Sequence, residues 1–407
     1  MFKCGASQTD ITPPMGVPMA GYGKRTSGSE GVHDPIMARA IVLDNGTRRI
    51  GWVITDLIGL TTADTDGIRD AVSKSCGIAV DSLMVSSTHT HGGPDTKPQE
   101  KAQADHEAHK AYLKELPGKI IQCVSAAAEG LAPARVSFGR ATLDKIQHNR
   151  RYHMTDGTVL MDWDDPDPAK VAYLSPVDPA VQALVINSDS GVRAVLVQFA
   201  CHSTVMDSGN RLITADWPGA ACRHLQSLLT AGQGAKGQGP WVAVAQGCCG
   251  DINPDYPKDT FDEVDAKGHA VAEAAKRAVE RAEPAKGDDL KAVILPVRLP
   301  RKNHGFDTTP TGEFYDSQVQ GFRIGDVAIV GLPGEVFSGI GLNIKAHSEF
   351  RGTFVGSYAN DYEPGYIPLS SEYVFGGYEV EYCRVAPGAD VAVTAAALET
   401  LKGLENR

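Results

Sequence analysis

The pentapeptide Ser87-Thr88-His89-Thr90-His91 places two imidazoles where an apolar run, Leu83-Met84-Val85, gives way to the turn Gly92-Gly93-Pro94. Residues i and i+2 of a strand share a face, so both rings can point at one centre. Neutral imidazole is also the commonest biological metal ligand. Polar residues stand in a similar place elsewhere. His202 ends Val195-Leu196-Val197-Gln198-Phe199-Ala200-Cys201, Glu335 follows Ile329-Val330-Gly331-Leu332-Pro333-Gly334, and Tyr366 closes Asn360-Asp361-Tyr362-Glu363-Pro364-Gly365. Strand ends at one edge of a sheet converge in space, so His89, His202, Glu335 and Tyr366 form a candidate ligand set. Two histidines and a carboxylate suit a hydrolytic zinc site, and zinc lowers the pKa of a bound water towards roughly 7. Each residue alone reads as structural, a satisfied core histidine or a glutamate favoured by a helix N-terminus. Together they outweigh that reading.

The elements that must position them alternate in type. Residues 38–44 and 49–56 read as a hairpin around Asn45-Gly46, a strong turn dipeptide between apolar runs. Helices are expected over 62–76, over 104–129 with a break near Pro117-Gly118, and over 218–229, 261–282, 335–348 and 391–401. Strands are expected over 82–87, 181–186, 192–199, 242–246, 291–299, 317–324, 327–332 and 353–358. The alternation predicts an α/β fold, mixed sheets covered by helices, in a single domain over residues 1–407. Residues 21–35 and 148–179 read as long loops, the second because Asp162-Trp163-Asp164-Asp165-Pro166-Asp167-Pro168 fits neither periodicity.

Composition narrows the function classes. At 407 residues, 42% apolar and 22% charged, the chain can bury a large core. A net charge of −11 without a dense Lys/Arg block argues against a nucleic-acid partner and for a small-molecule substrate. No apolar run approaches the roughly 20 residues that span a bilayer, and the N-terminus lacks a hydrophobic signal region, so stable membrane insertion is not expected and a cytoplasmic location is. The eight cysteines form no C-x-x-C pair and read as reduced core thiols, Cys248-Cys249 included, whose side chains point apart in an extended segment. A homo-oligomer stays open.

Longer motifs carry a family resemblance. Asp10-Ile11-Thr12-Pro13-Pro14 with Met19-Ala20-Gly21-Tyr22-Gly23, the Ser87–Pro94 turn, Gln246 with Gly250-Asp251-Ile252-Asn253-Pro254, and Leu332-Pro333-Gly334-Glu335 resemble the neutral/alkaline non-lysosomal ceramidase family in order and spacing. The resemblance implies a zinc amidase fold with His89, His202, Glu335 and a tyrosine on the metal. Tyr366 is the best match for that tyrosine and Tyr362 its rival. It further implies that His91 exchanges protons with the attacking water and the leaving amine while pointing past the metal, and that Arg150 with Tyr378 or Tyr373 stabilises the oxyanion.

Other polar groups read as supports. Asp216 and Asp251 precede turns or helices and suit capping or a bond to a ligand histidine. His106 and His109 read as exposed, with the wrong spacing for a helical His-Glu-x-x-His site. Ser203, before Asp207, lacks the Gly-x-Ser-x-Gly elbow of a serine hydrolase. Secreted family members carry a signal sequence and a C-terminal immunoglobulin-like domain, and neither is evident here. The expected substrate is therefore a small polar amide in place of ceramide. The alternatives are an ester, lactone or glycosidic bond cut at the same zinc, or a ceramidase-like binding protein without turnover.

Overall fold

The computed structural model describes residues 2–97, 103–231 and 239–405. A nine-stranded sheet runs in the order Trp241–Gln246, Gly191–Phe199, Ala180–Ser188, Ala132–Thr142, Phe2–Asp10, Met37–Asp44, Arg49–Thr55, Leu83–Ser87, with Glu283–Pro284 added beside Ala132–Thr142. The strands at the two ends of this order are parallel to their neighbours and the interior pairs are antiparallel. A second sheet holds Leu290–Lys302, Pro310–Ile324, Val327–Gly331 and Gly352–Gly356.

Alternation along the strands explains the layering. Val181, Ala183, Val185, Val195 and Val197 pack outward against helices Asp216–Ala231 and Phe261–Glu280. Their neighbours Leu184, Ile186, Ala194 and Leu196 pack inward with Phe322, Ile329 and Phe354 of the second sheet. In the other half of the large sheet, Ala38, Ala40, Val42 and Val53 face helices Thr62–Cys76 and His106–Glu129, while Ile41, Leu43 and Trp52 join the inner core. The far face of the second sheet is covered by Ser338–Ala346 and Ala389–Glu405. The α/β expectation thus resolves into helix, sheet, sheet and helix layers, and both faces of each sheet are apolar because both are covered.

Several expected elements fall elsewhere. Pro117 does not break its helix, which runs His106–Glu129 through it with Tyr112, Leu116, Ile120, Cys123 and Val124 packed on the sheet. That buried face outweighs the lost hydrogen bond, which a proline inside a helix cannot make. Residues 148–179 are not one loop but include the meander Arg151–Met154, Val159–Met161 and Val171–Leu174. Glu335 does not open a helix. Glu335–Val336 is a short strand paired in parallel with Tyr366–Ile367, and the helix starts at Ser338. His109 is buried, with Nε2 2.7 Å from the Asp95 carbonyl, which ties its helix to the loop after the histidine pair. Among the described residues no helix is long and apolar enough to cross a membrane.

Two glycines set how closely helices approach the large sheet. A Cβ at Gly5 would stand 1.8 Å from the Ala127 carbonyl oxygen, and one at Gly139 would stand 1.9 Å from that of Ala278. Both obstacles are backbone and cannot rotate away. Gly5→Ala and Gly139→Ala should each cost roughly 1–3 kcal/mol through overpacking, read as a lower urea midpoint at unchanged slope. A midpoint within error of the parent would contradict the packing described.

Candidate metal centre

His89 and His202 leave strands near opposite ends of the large sheet, Glu335 lies between two strands of the second sheet, and Tyr366 follows its last strand. The convergence expected along one sheet edge is therefore built across two sheets. The segment 356–360 spans the gap, bridging Gly247 through Gly356 and Ser86 through Ala359, while Thr90 pairs with Ser203. Gln246 joins both histidine turns. Its Nε2 donates to the carbonyls of Thr88 at 3.1 Å and Cys201 at 2.7 Å, and its Oε1 accepts from Cys201 N at 3.2 Å.

The histidine turns are held in strain. His89 has φ 59°, and Tyr358, Asn360 and Asp216 nearby also have φ between 55° and 60°. Left-handed backbone at such residues costs on the order of 1–3 kcal/mol each and persists where the surroundings over-determine it. Here they do. Asn360 exchanges hydrogen bonds with Val85, and Tyr358 stacks on the His89 ring at 4.2 Å. Asp216 accepts from the backbone nitrogens of Val205, Met206 and Trp217, and the Trp217 indole donates to the His202 carbonyl. Asp251 accepts from Asn149 and from Ser338, just after Glu335. Both aspartates are therefore supports, as their sequence context suggests.

The protons on the imidazoles can be placed. His89 Nδ1 lies 2.7 Å from the Ile58 carbonyl, and His202 Nδ1 lies 2.6 Å and 3.0 Å from the carbonyls of Cys249 and Ile252. A carbonyl cannot donate, so each Nδ1 carries a hydrogen, and Nε2, the atom with the lone pair when such a ring is neutral, faces the other way. Both Nε2 atoms then stand 3.2 Å from Glu335 Oε2. Burial first, and the Arg150 charge next, push His202 down to about 4, so a proton does not fill the gap at neutral pH. Burial alone would raise the Glu335 carboxyl, but the imidazoles of His89 and His202 facing it hold it well below the usual carboxylate range. Two lone pairs and a carboxylate facing one point fit a metal cation.

His91 does not point past this centre. Its Nε2 is 3.1 Å from His89 Nε2, and ligand atoms of His89, His91 and His202 all lie within 4.8 Å of one another. Burial, then the neighbouring histidines, hold His91 well below its usual range, so it is a neutral base, and its Nδ1 has no hydrogen-bond partner.

Both candidate tyrosine ligands reach the site. Tyr362 donates to Glu335 Oε1 at 3.2 Å, and Tyr366 is in register with Glu335. Burial, then Glu335, keep both phenols protonated, so ionising either one needs a cation beside it. Tyr378 lines the same cavity, whose volume is about 190 Å³. Tyr373 does not. Its ring packs behind the second sheet and its hydroxyl donates to the Val385 carbonyl at 2.8 Å, because the turn Ser370–Val374 directs it inward. Arg150 is buried behind the lining. It donates to Glu379 at 2.6 Å, Asn253 at 3.1 Å and the Gly250 carbonyl at 2.9 Å, bonds Tyr366, and lies within 6 Å of the rings of Tyr366 and Tyr378. It positions the tyrosines. Ser203 gives its hydroxyl to the Thr88 carbonyl and is not a nucleophile, and Cys248 and Cys249 are buried free thiols.

The sequence reading missed Tyr358 and Asn360, which flank the turn in Ser357-Tyr358-Ala359-Asn360. The signal available was small, a strand stopping at Asn. It also missed His148, bound to Asp255 at 2.8 Å and Asp162 at 3.2 Å, with Asp162 in turn accepting from Asn253 of the Arg150 network.

Two tests follow from these contacts. Gly21 has φ +93°, and a Cβ there would meet the His91 ring at 2.4 Å. Gly21→Ala should displace His91 and lower turnover by about 100-fold, the scale of a misplaced catalytic group, while metal content measures whether the ligands stay. Burial opposes the His148 imidazolium, but Asp162 and Asp255 outweigh it and push the group from 6.5 up to about 9. A raised folded pKa gives stability fully present below about 6.5 and lost as pH rises through about 9. The contribution is on the order of 2–3 kcal/mol after allowance for its partial exposure. The fall in urea midpoint from pH 6 to pH 10 should be smaller in His148→Gln than in the parent.

Known proteins place this architecture. Residues 2–292 match the family described as neutral/alkaline non-lysosomal ceramidase, N-terminal. The chain is 24% identical over 276 residues to the neutral ceramidase of Drosophila melanogaster, which covers 62% of this chain and 36% of that one. It is 28% identical over 262 residues to neutral ceramidase B of Dictyostelium discoideum, and 26% over 269 residues to the neutral ceramidase of Pseudomonas aeruginosa, with 62% of this chain covered in each case. Those alignments take in 35% and 37% of the relatives, so the match spans little more than a third of their length. The crystal structure of neutral ceramidase from Pseudomonas aeruginosa has a TM-score of 0.80 at 21% identity, covering 100% of this chain and 75% of that one. A ceramidase complexed with C2 has a TM-score of 0.79 at 20% identity, covering 99% and 75%. By its sequence from residue 2 to 292, and by a fold shared along its whole length, this chain belongs to the neutral/alkaline non-lysosomal ceramidase family.

Proposed function

We propose that this chain is a zinc-dependent hydrolase that cleaves the carbon–nitrogen bond of a small polar amide. One observation carries the reading. Two histidines fixed by carbonyls at Nδ1 aim Nε2 at Glu335 Oε2, each at 3.2 Å, with the imidazole of His91 beside them. His89, His202, Glu335 and Tyr366 would hold the zinc, with Tyr362 as the other candidate tyrosine. When bound, zinc acidifies water and polarises a carbonyl oxygen.

The chain's own groups supply the rest. His91, neutral and buried, accepts the proton of the attacking water and returns it to the leaving nitrogen. Tyr378 lines the cavity as a protonated phenol and can donate to the oxygen that gains charge, while Arg150 fixes it from behind. The relatives are named ceramidases, whose substrate is an amide. A cavity of about 190 Å³ is smaller than the roughly 300–1,000 Å³ of clefts that take drug-sized ligands, which supports a shorter amide here.

Metal analysis of the purified protein by mass spectrometry is the direct test. About one zinc per chain is expected, with His202→Ala losing metal and turnover together. His91→Ala should keep the metal and lower the rate by roughly 100- to 10,000-fold, the share of general acid–base catalysis. Metal lost from His91→Ala would make His91 a ligand. A well-folded parent that takes up no zinc would defeat the proposal.

A further inference from the structure

The cavity that opens onto the histidines has two cations at its wall. Lys97 comes from the loop that carries His89 and His91, and Arg384 from the segment after the helix Tyr378–Tyr382. Neither forms an ion pair with a carboxylate among the described residues. Arg384 Nη1 reaches only the Glu363 backbone carbonyl, at 3.4 Å, and Lys97 is anchored through its backbone nitrogen, which donates to Asp95 Oδ1 at 3.0 Å. Elsewhere in this structure arginines near the site are used in pairs, as Arg150 and Arg151 are with Glu372 and Glu379.

Two carboxylates share the cavity, but one is committed. Glu335 faces the histidines and accepts from Tyr362. That leaves Glu363 against two cations, a net positive wall in a chain whose overall charge is −11. At long range the chain repels anions, so this wall serves discrimination inside the cavity more than capture from solution. The remaining lining is phenolic, from Tyr362, Tyr366, Tyr378 and Tyr382, which suits short polar ligands better than a pair of alkyl chains.

From this wall the geometry points to a substrate class. We infer that the amide cleaved here carries an anionic group, a carboxylate or phosphate, held by Arg384 and Lys97 while the scissile carbonyl lies at the histidines. Arginine presents a planar fork that matches carboxylate and phosphate oxygens, and lysine adds a point charge. The inference rests on the hydrolase reading for the identity of the bond, but not for the preference in binding.

The test compares matched probes on the zinc-loaded full chain. N-acetyl-β-alanine is set against N-propylacetamide, and N-acetylethanolamine phosphate against N-acetylethanolamine. The anionic member of at least one pair should have a kcat/KM roughly 10- to 100-fold higher, the equivalent of one or two charge-assisted hydrogen bonds. The pair showing the preference identifies carboxylate or phosphate as the group. In the Lys97→Gln/Arg384→Gln double variant the ratio should fall to about one, and in the parent it should fall as sodium chloride is raised. Equal values within both pairs, or a preference that persists in the double variant because the metal supplies it, overturns the inference.

Calorimetric binding of the same pairs to zinc-stripped protein separates this result from the wider reading. Tighter binding of the anionic member, abolished in the double variant, with no cleavage of any probe by the loaded enzyme, would uphold the charge recognition and defeat the amidase. Cleavage of neutral and anionic probes alike, with no difference in binding, would do the reverse.

Discussion

Everything around this centre depends on one electrostatic constraint, the placement of two imidazole Nε2 atoms within 3.2 Å of one carboxylate oxygen. Buried groups of that kind repel unless positive charge lies between them. The fold removes the easy escape, which is for the rings to rotate or change tautomer, by holding each Nδ1 hydrogen on a backbone carbonyl. The cost of that arrangement would be recovered on binding of a cation, and the left-handed backbone at His89 belongs to the same cost. Gln246, Asn360, Asp216 and Asp251 make no contact that a substrate would feel. They fix the turns from which the ligands project, which is how outer residues orient a metal site.

A second network meets the first at Arg150. Its guanidinium is shared among Glu379, Asn253 and Gly250, and Asn253 connects onward to Asp162 and His148. Arg151 shares Glu379 and binds Glu372. These ions are buried, so each is stable only with its partners, and removal of one partner strands the other. The tyrosine wall of the cavity is thereby tied, through Arg150, Glu379 and Arg151, to the meander that begins at Arg151. His148 is connected to Arg150 by an unbroken run of side-chain hydrogen bonds through Asp162 and Asn253.

Much of this was legible in the sequence because strand ends leave a local trace. His89, His202 and Glu335 each follow an apolar run, and all three meet in the structure. Helix 62–76 and the hairpin around Asn45-Gly46 were equally plain, since capping and turn chemistry are local. What the sequence did not disclose depended on distant partners. Pro117 continues a helix because a buried face compensates, Glu335 is a strand residue because Tyr366 lies beside it, and Tyr373 turns inward because Val385 accepts its hydroxyl. The direction of His91 likewise follows from Gly21 and Arg25, which approach from a segment some seventy residues earlier, and no periodicity encodes that meeting.

The proposed ligands are drawn from residues 89, 202, 335 and 366, across two sheets that share one inner core. No continuous stretch of the chain holds more than a fragment of the site. A metal ion bound there would act as a clasp between layers, joining the large sheet to segments that lie between and after the strands of the second one, and would favour the assembled form over any state in which the sheets are apart. Such a site cannot form early in folding, because loop closure over hundreds of residues must come first. Metal occupancy would then report that the two layers have docked. The catalytic centre would serve at the same time as a check on the completeness of the fold.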